Sequence, residues 1–408
     1  MRMRMRMRMR MRIITCFMCS IGLALLPYLT RATLLGAFVA FSGAVLYAQS
    51  SGAANLHTGK AIYEAGCAGC HGYDGKGAPQ STIGFQKPDT FPDFTQCDQT
   101  TPEDNLVWHS MIRYGGPSRG FSQIMPSFSE SLSSDQVKAV VHYLRGFCND
   151  PGWPRGELNL PLALVTEKAF PENETVITGS ANVKGAPGTS YHVIHEQRFG
   201  QRNQVEVDVP VEFTRPQRGL WYGGYGDVTL GLKRVLFAKL NQNPEQDQTQ
   251  SSGSIFSVQG SVILPTGNRL HGLGSGVTTF ETFAAFGQLL PHYFFVQGQA
   301  GADLPTNTDK APQSLFARTA VGKGFAENGG LGRLWSPMVE FVANRDLIRG
   351  ATTDLDVVPE FQVTLSKRQH VRFNAGVSIP ATNTAGRNPQ LLFYILWDWQ
   401  DGRLTAGW

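Results

Sequence analysis

The chain has 408 residues, room for two or three domains, and its net charge of +4 is uneven: seven of its 36 basic residues and none of its 32 acids lie in the first 48 positions. Without that segment the net charge is −3, so the basic balance belongs to a leader and a nucleic-acid surface is excluded.

The leader runs from a Met-Arg repeat through an apolar stretch, Ile13 to Leu29, and a break at Thr30-Arg31 to a second apolar stretch, Ala32 to Ala48. A basic start, an apolar run and small Ala48 before Gln49 are expected of a secretory signal peptide over 1–48. The alternative is a retained inner-membrane anchor, since each run is about the length of a short span. Cys16 and Cys19 lie inside the first run without a polar shell and are not read as a site. In an exported chain Cys67, Cys70, Cys97 and Cys148 meet an oxidising compartment, so each needs a covalent or metal-bound fate.

Ala61, Ile62 and Ala65 predict a short helix leading into Cys67-x-x-Cys70-His71. Zinc needs a second close pair of ligands, and no further Cys-x-x-Cys or His-x-x-x-His follows residue 70. A redox dithiol needs a βαβ frame, whereas a Gly-rich loop follows here. Haem uses all three residues: two thioether bonds and His71 as proximal iron ligand. Next, "TPEDNLVWHSMIRYGG" predicts a helix capped by Thr101, with Pro102 first and its end at Gly115-Gly116. "GFSQIMPSF", Gly120 to Phe128, offers Met125 beside Pro126 as a second axial ligand, and "LSSDQVKAVVHYLRGF" predicts a helix capped by Ser133 or Ser134.

In attachment motif, Met-Pro loop and closing "YLR" helix, residues 55–150 resemble a class I monohaem cytochrome c. The resemblance implies an all-α domain with one covalent haem c on Cys67 and Cys70 and iron held by His71 and Met125. It covers about a quarter of the chain. Met111 beside Trp108 reads as core, and His109 and His142 as surface or satisfied side chains; either His is the alternative ligand should Met125 fail. Arg113, Tyr114, Trp108 and Arg119 suit haem propionates or a solvated surface equally. Cys97 and Cys148 are expected to pair as a structural disulfide.

"NDPGWPRGELNLP" marks a boundary, and 151–170 reads as a linker. Thereafter period-two alternation dominates: Val205, Val207, Val209, Val211 and Phe213 on one face against Glu206, Asp208 and Glu212; Phe361, Val363 and Leu365 against Gln362, Thr364 and Ser366; and a third such run over 370–379. With nine further candidates, 171–408 is an antiparallel all-β domain of about 12 strands, an outer-membrane β-barrel or, as the alternative, a soluble β-sandwich. Strand lengths of about 9–12 residues, aromatics near strand ends and charge at central positions of the polar face favour the barrel. His192 and His195 point to opposite faces, which excludes a shared metal, and no catalytic motif is present.

The architecture resembles cytochrome–porin fusions that carry electrons across bacterial outer membranes, although about 12 strands is narrower than their larger barrels. A cytochrome domain about 25 Å across is too wide for such a lumen and belongs at its mouth. The expectation is therefore a non-enzymatic electron-transfer protein of a Gram-negative outer membrane. Its haem domain faces the periplasm, where its redox donor and acceptor are periplasmic cytochromes. The alternatives are a barrel transporter with a haem docking domain and a soluble periplasmic cytochrome with a partner-binding sandwich.

Overall fold

The computed structural model describes residues 56–184, 187–215, 219–241, 250–326 and 334–408. The expected signal segment, with Cys16 and Cys19, lies outside the described residues.

Helix α1, Gly59–Gly66, starts where the Thr58 hydroxyl accepts the Ala61 N–H at 3.2 Å, and it passes directly into the single turn α2, Ala68–His71. A short α3, Cys97–Thr100, precedes α4, Asn105–Tyr114. The cap of α4 is Asp104 instead of the expected Thr101, because the Asp104 carboxylate takes the Val107 N–H at 2.8 Å while the Thr101 hydroxyl turns back to the Cys97 carbonyl of α3. Helix α5, Ser134–Arg145, carries a reciprocal capping box between Ser133 and Gln136. It crosses α1 so closely that a Cβ on Gly59 would lie 2.0 Å from the Ala139 carbonyl oxygen. Ile62 and Tyr63 of α1 are buried there against Val137, Val140, Val141 and Leu144, side chains contributing about 2 kcal/mol each by burial. Cys97 and Cys148 form the expected disulfide, tying α3 to the chain beyond α5.

Twelve long strands follow: β1 Glu174–Asn182, β2 Gly188–Phe199, β3 Asn203–Thr214, then β5 Val228–Asn241 after the short β4 Tyr222–Tyr225, β6 Ser252–Leu264, β7 Thr279–Leu289 and β8 Phe294–Pro305. The rest are β9 Ser314–Lys323, then β11 Leu334–Asp346 after the two-residue β10 Phe325–Ala326, β12 Asp354–Thr364, β13 Val371–Pro380 and β14 Gln390–Asp398. Each long strand is antiparallel to its neighbours, and β14 returns to β1 with Glu174 opposite Asp398, so the sheet closes into a 12-strand barrel with β4 and β10 as side pairings on β3 and β11. The run expected over 360–367 stops at Thr364. Beyond it, Leu365 donates to the Val371 carbonyl and Ser366 bonds both His370 and the Val371 N–H, which makes a turn.

The alternation is inverted relative to a soluble core. Phe361 is 42% exposed while neighbouring Gln362 is 2%, and Val205 is 41% exposed while Gln204 is fully buried. Apolar side chains face outward and polar ones inward, which selects the barrel over the sandwich because a sandwich hides its apolar faces between two sheets.

The lumen is filled by the chain itself. Beyond a single 3-10 turn, Gly156–Leu158, residues 159–173, within and just beyond the expected linker, run inside the barrel in irregular conformation, and the wall supplies their hydrogen bonds. Glu340 accepts from the Val165 N–H at 3.0 Å and from the Thr166 N–H and hydroxyl at 2.7 and 2.6 Å, and Glu360 accepts from the Leu164 N–H at 2.9 Å. Gln297 donates to the Pro161 carbonyl, Tyr394 to that of Leu162 and Arg318 to that of Val165. Buried Lys168 is paired with Glu172 and Glu174. Leu158, Leu160 and Phe170 pack on Val235, Ile255, Phe283 and Phe295 of the wall. Buried backbone away from regular structure persists only with such partners.

The helical domain sits on the barrel end formed by the start of β1 and the end of β14. Gln400 donates to the Asp98 carbonyl at 2.8 Å, Arg202 to that of Gly152 at 2.8 Å, and Arg368 to that of Gly120 at 2.9 and 3.2 Å.

Candidate haem site

One helical turn gathers the attachment motif. The Cys70 and His71 N–H groups both donate to the Cys67 carbonyl, at 3.1 and 2.9 Å, so Cys67, Cys70 and His71 share a single turn. Gly72, at φ 73°, then reverses the chain, and the Tyr63 hydroxyl holds its carbonyl at 2.6 Å. The His71 ring stacks on Phe91 at 5.0 Å and leans on Phe94 at 5.1 Å. Burial lowers its pKa to about 4, so the imidazole is neutral at ordinary pH, the state that binds a metal. Its Nδ1 is buried without a hydrogen-bond partner. Cys67 and Cys70 are not joined to each other. Burial, with Cys70 as a lesser cause, raises the Cys67 thiol to about 11, which opposes a redox dithiol because that chemistry needs an accessible thiolate.

The Met125 loop faces this turn. The Met125 carbonyl accepts the Gly116 N–H at 3.0 Å, and its N–H donates to the Ser122 carbonyl at 3.3 Å. Two glycines permit the approach: Gly115 sits at φ 79° with space for a Cβ only 2.9 Å from the Met125 oxygen, and a Cβ on Gly116 would lie 2.1 Å from the Ser122 oxygen. Cys67, Cys70, His71 and Met125 all line one cavity of about 980 Å³, in the size range of cofactor pockets. A cavity walled by Phe91, Phe94, Ile112 and Leu144, with a neutral imidazole and a thioether in it, fits a haem held by two thioether bonds.

Met111 and Trp108 line the same cavity, Trp108 with the Arg145 guanidinium 3.9 Å over its face. Neither His109, bonded to Ser134 at 3.2 Å, nor His142 is among its lining residues, so the arrangement brings no second histidine to the site. Arg113, Tyr114 and Arg119 also lie outside the lining, and Arg119 is buried near Asp104. The cationic side chains that do line it are Arg198 and Arg368, which the barrel contributes together with Trp399. Sequence reasoning missed these three because each lies at a strand end or turn far along the chain from Cys67, with no local pattern to mark it. His192 turns inward onto Asp208 at 2.9 Å, while His195 faces out and stacks on Trp399 at 6.0 Å.

Residues 54–144 match the family model described as cytochrome C oxidase, cbb3-type, subunit III. They form a cytochrome c domain. The cytochrome c domain implies covalent haem and electron transfer. Among curated proteins none matches the chain. Three solved structures similar to the chain are the KdgM porin (8% identity, 55% of this chain and 99% of that one, TM-score 0.31), an outer membrane channel from Pseudomonas putida F1 (13%, 58% and 99%, 0.36) and the beta domain of the Bordetella autotransporter BrkA (12%, 56% and 99%, 0.32). The barrel assignment stands on the closed strand register described above.

Proposed function

We propose that the protein is an outer-membrane monohaem cytochrome c, exchanging one electron at a time with soluble redox proteins on the periplasmic face. When bound, haem c supplies an Fe(III)/Fe(II) couple. Cys67 and Cys70 tether it, His71 and Met125 hold its iron, and the aromatic wall of Phe91, Phe94 and Trp108 keeps water from it. The electron enters from a one-electron donor and leaves to a one-electron acceptor, with no bond made or broken in the chain.

The observation that carries this reading is the inside-out barrel with the haem cavity against one end. Lipid is the solvent that suits an apolar exterior on a closed sheet. Among the connections described throughout, those at the haem end are 200–202, 290–293 and 365–370, whereas 265–278, 306–313, 347–353 and 381–389 connect strands at the other. Short turns mark the periplasmic side of such barrels. The packed segment 156–173 opposes a transport role, and a hydrocarbon core about 30 Å thick separates the single haem from the far face. Electron exchange is thus confined to one side, with the barrel as anchor.

Fractionation tests this. Haem-stained protein should remain with the outer membrane and change mobility between heated and unheated samples. Release as a soluble periplasmic protein would replace the barrel anchor with a soluble redox carrier.

A further inference from the structure

The haem cavity is a joint construction, and two side chains on its barrel side keep buried nitrogens without partners. Arg198, near the end of β2, is 8% exposed and lines the cavity. Its Nη2 donates to the Gln201 carbonyl at 3.0 Å, and its plane packs over Trp153 at 4.7 Å and Phe170 at 5.6 Å. Its Nε and Nη1 are buried and bonded to nothing; the nearby acids Glu172 and Asp98 do not reach them. The indole Nε1 of Trp399, from the residue after β14, is likewise buried without a partner and its side chain lines the same cavity. Arg368, the other guanidinium here, is already engaged with the Gly120 carbonyl and the Phe121 ring.

A buried guanidinium with two idle nitrogens is destabilising unless an anion meets it. Either idle nitrogen, with the second hydrogen of Nη2, presents a fork to a carboxylate, and an indole N–H adds a further donor. Resting on the haem reading above, we propose that the barrel, through Arg198 and Trp399, forms the binding site for a haem propionate, so that the cytochrome domain alone does not complete its own haem pocket. Arg198 is a positioning residue: it holds the carboxylate ionised and places a positive charge beside the porphyrin edge, where it favours the electron-rich ferrous state. The barrel thereby sets the reduction potential as well as anchoring the domain.

The test uses the full chain in membranes or detergent, with haem quantified as the alkaline pyridine complex and the midpoint potential measured by spectroelectrochemical titration. Arg198→Gln should keep one haem per chain and an unchanged heat-dependent mobility while shifting the reduction equilibrium about tenfold toward the ferric state, about 59 mV lower for a one-electron couple. Arg198→Lys should restore most of that shift, since it restores the charge, and Trp399→Phe should move the potential the same way by less. A potential identical to the parent in both Arg198→Gln and Trp399→Phe, with haem bound, would overturn the propionate site and leave the haem reading intact. Absence of haem from the parent itself would sink the reading beneath it. Should Arg198→Gln fail to insert, Trp399→Phe decides: a lowered potential supports the site and an unchanged one overturns it.

Discussion

Removing the Glu340 carboxylate should free the middle of the luminal segment while leaving the barrel standing. Glu340 accepts three hydrogen bonds from that segment, from the Val165 N–H, the Thr166 N–H and the Thr166 hydroxyl. Bonds to a charged acceptor contribute about 1.5–3 kcal/mol each. At the lower end three of them hold about 4–5 kcal/mol, and water entering the space left by Glu340→Ala returns part of this, leaving roughly 3 kcal/mol. Local opening of residues 164–166 should then be about 100-fold more frequent. Hydrogen exchange read by mass spectrometry on peptides spanning 160–170 measures this directly, with the β6–β7 peptides as an internal reference. Adding Glu360→Ala removes the acceptor of the Leu164 N–H at 2.9 Å and should speed exchange further. If exchange over 160–170 in the double variant equals that of the parent, the segment is held by apolar packing of Leu158, Leu160 and Phe170 alone, and its hydrogen bonds to the wall contribute nothing to holding it.

Three further outcomes follow from the helical domain. Met125→Ala should keep the haem covalently attached but convert the low-spin spectrum to that of a high-spin or water-ligated iron, and an unchanged low-spin spectrum would remove Met125 from the iron. Replacing Cys97 and Cys148 by Ser should cost about 4 kcal/mol in denaturant unfolding, from the unfolded-state entropy of a loop spanning 51 positions. Burial, reinforced by Glu157 beside it, raises the Asp104 carboxyl to about 6. Because this folded value lies above the unfolded one, the acid is held in its uncharged form, so domain stability should fall by on the order of 2 kcal/mol as pH rises from 4 to 6 and level off above. Asp104→Asn keeps the cap and should flatten that profile in thermal melts.

Local chemistry was legible wherever its cause was local. Cys67, Cys70 and His71 announce themselves because the thioether and imidazole positions must share one helical turn. The Ser133 cap of α5 and the outward Val205, Val207 and Phe213 follow from neighbours three and two residues away. The Asp104 cap is less legible, since Thr101 and Asp104 both offer an oxygen that can accept a helix N–H and only the competing bond of Thr101 to α3 decides. Residues 151–170 carry Pro, Gly and no periodicity, which a solvated linker and a luminal plug share. What distinguishes them is the set of Glu340, Glu360, Gln297 and Arg318, and those positions meet only when the sheet closes. Central charges on the polar faces carried that information in outline: they required a polar interior, and such an interior in a narrow barrel needs something polar to bond.

The glycines of the ligand loop show why haem site and barrel cannot be considered separately. Gly120, at φ 68°, has the Gly407 Cα 2.6 Å from where a Cβ would stand, so the tail after β14 lies directly on the Met125 loop. Arg368 grips the same point, donating to the Gly120 carbonyl and lying 4.2 Å over the Phe121 ring, while the Lys367 N–H ties the turn to the Gly407 carbonyl. The loop is therefore clamped between α4, through Gly115 and Gly116, and the barrel turn at 365–370. A clamp on both sides restricts outward movement of Met125, and it depends on the register of β12 and β13. A side chain at Gly120 would have to push away either the tail or the loop, so barrel assembly and the placement of Met125 share one steric constraint.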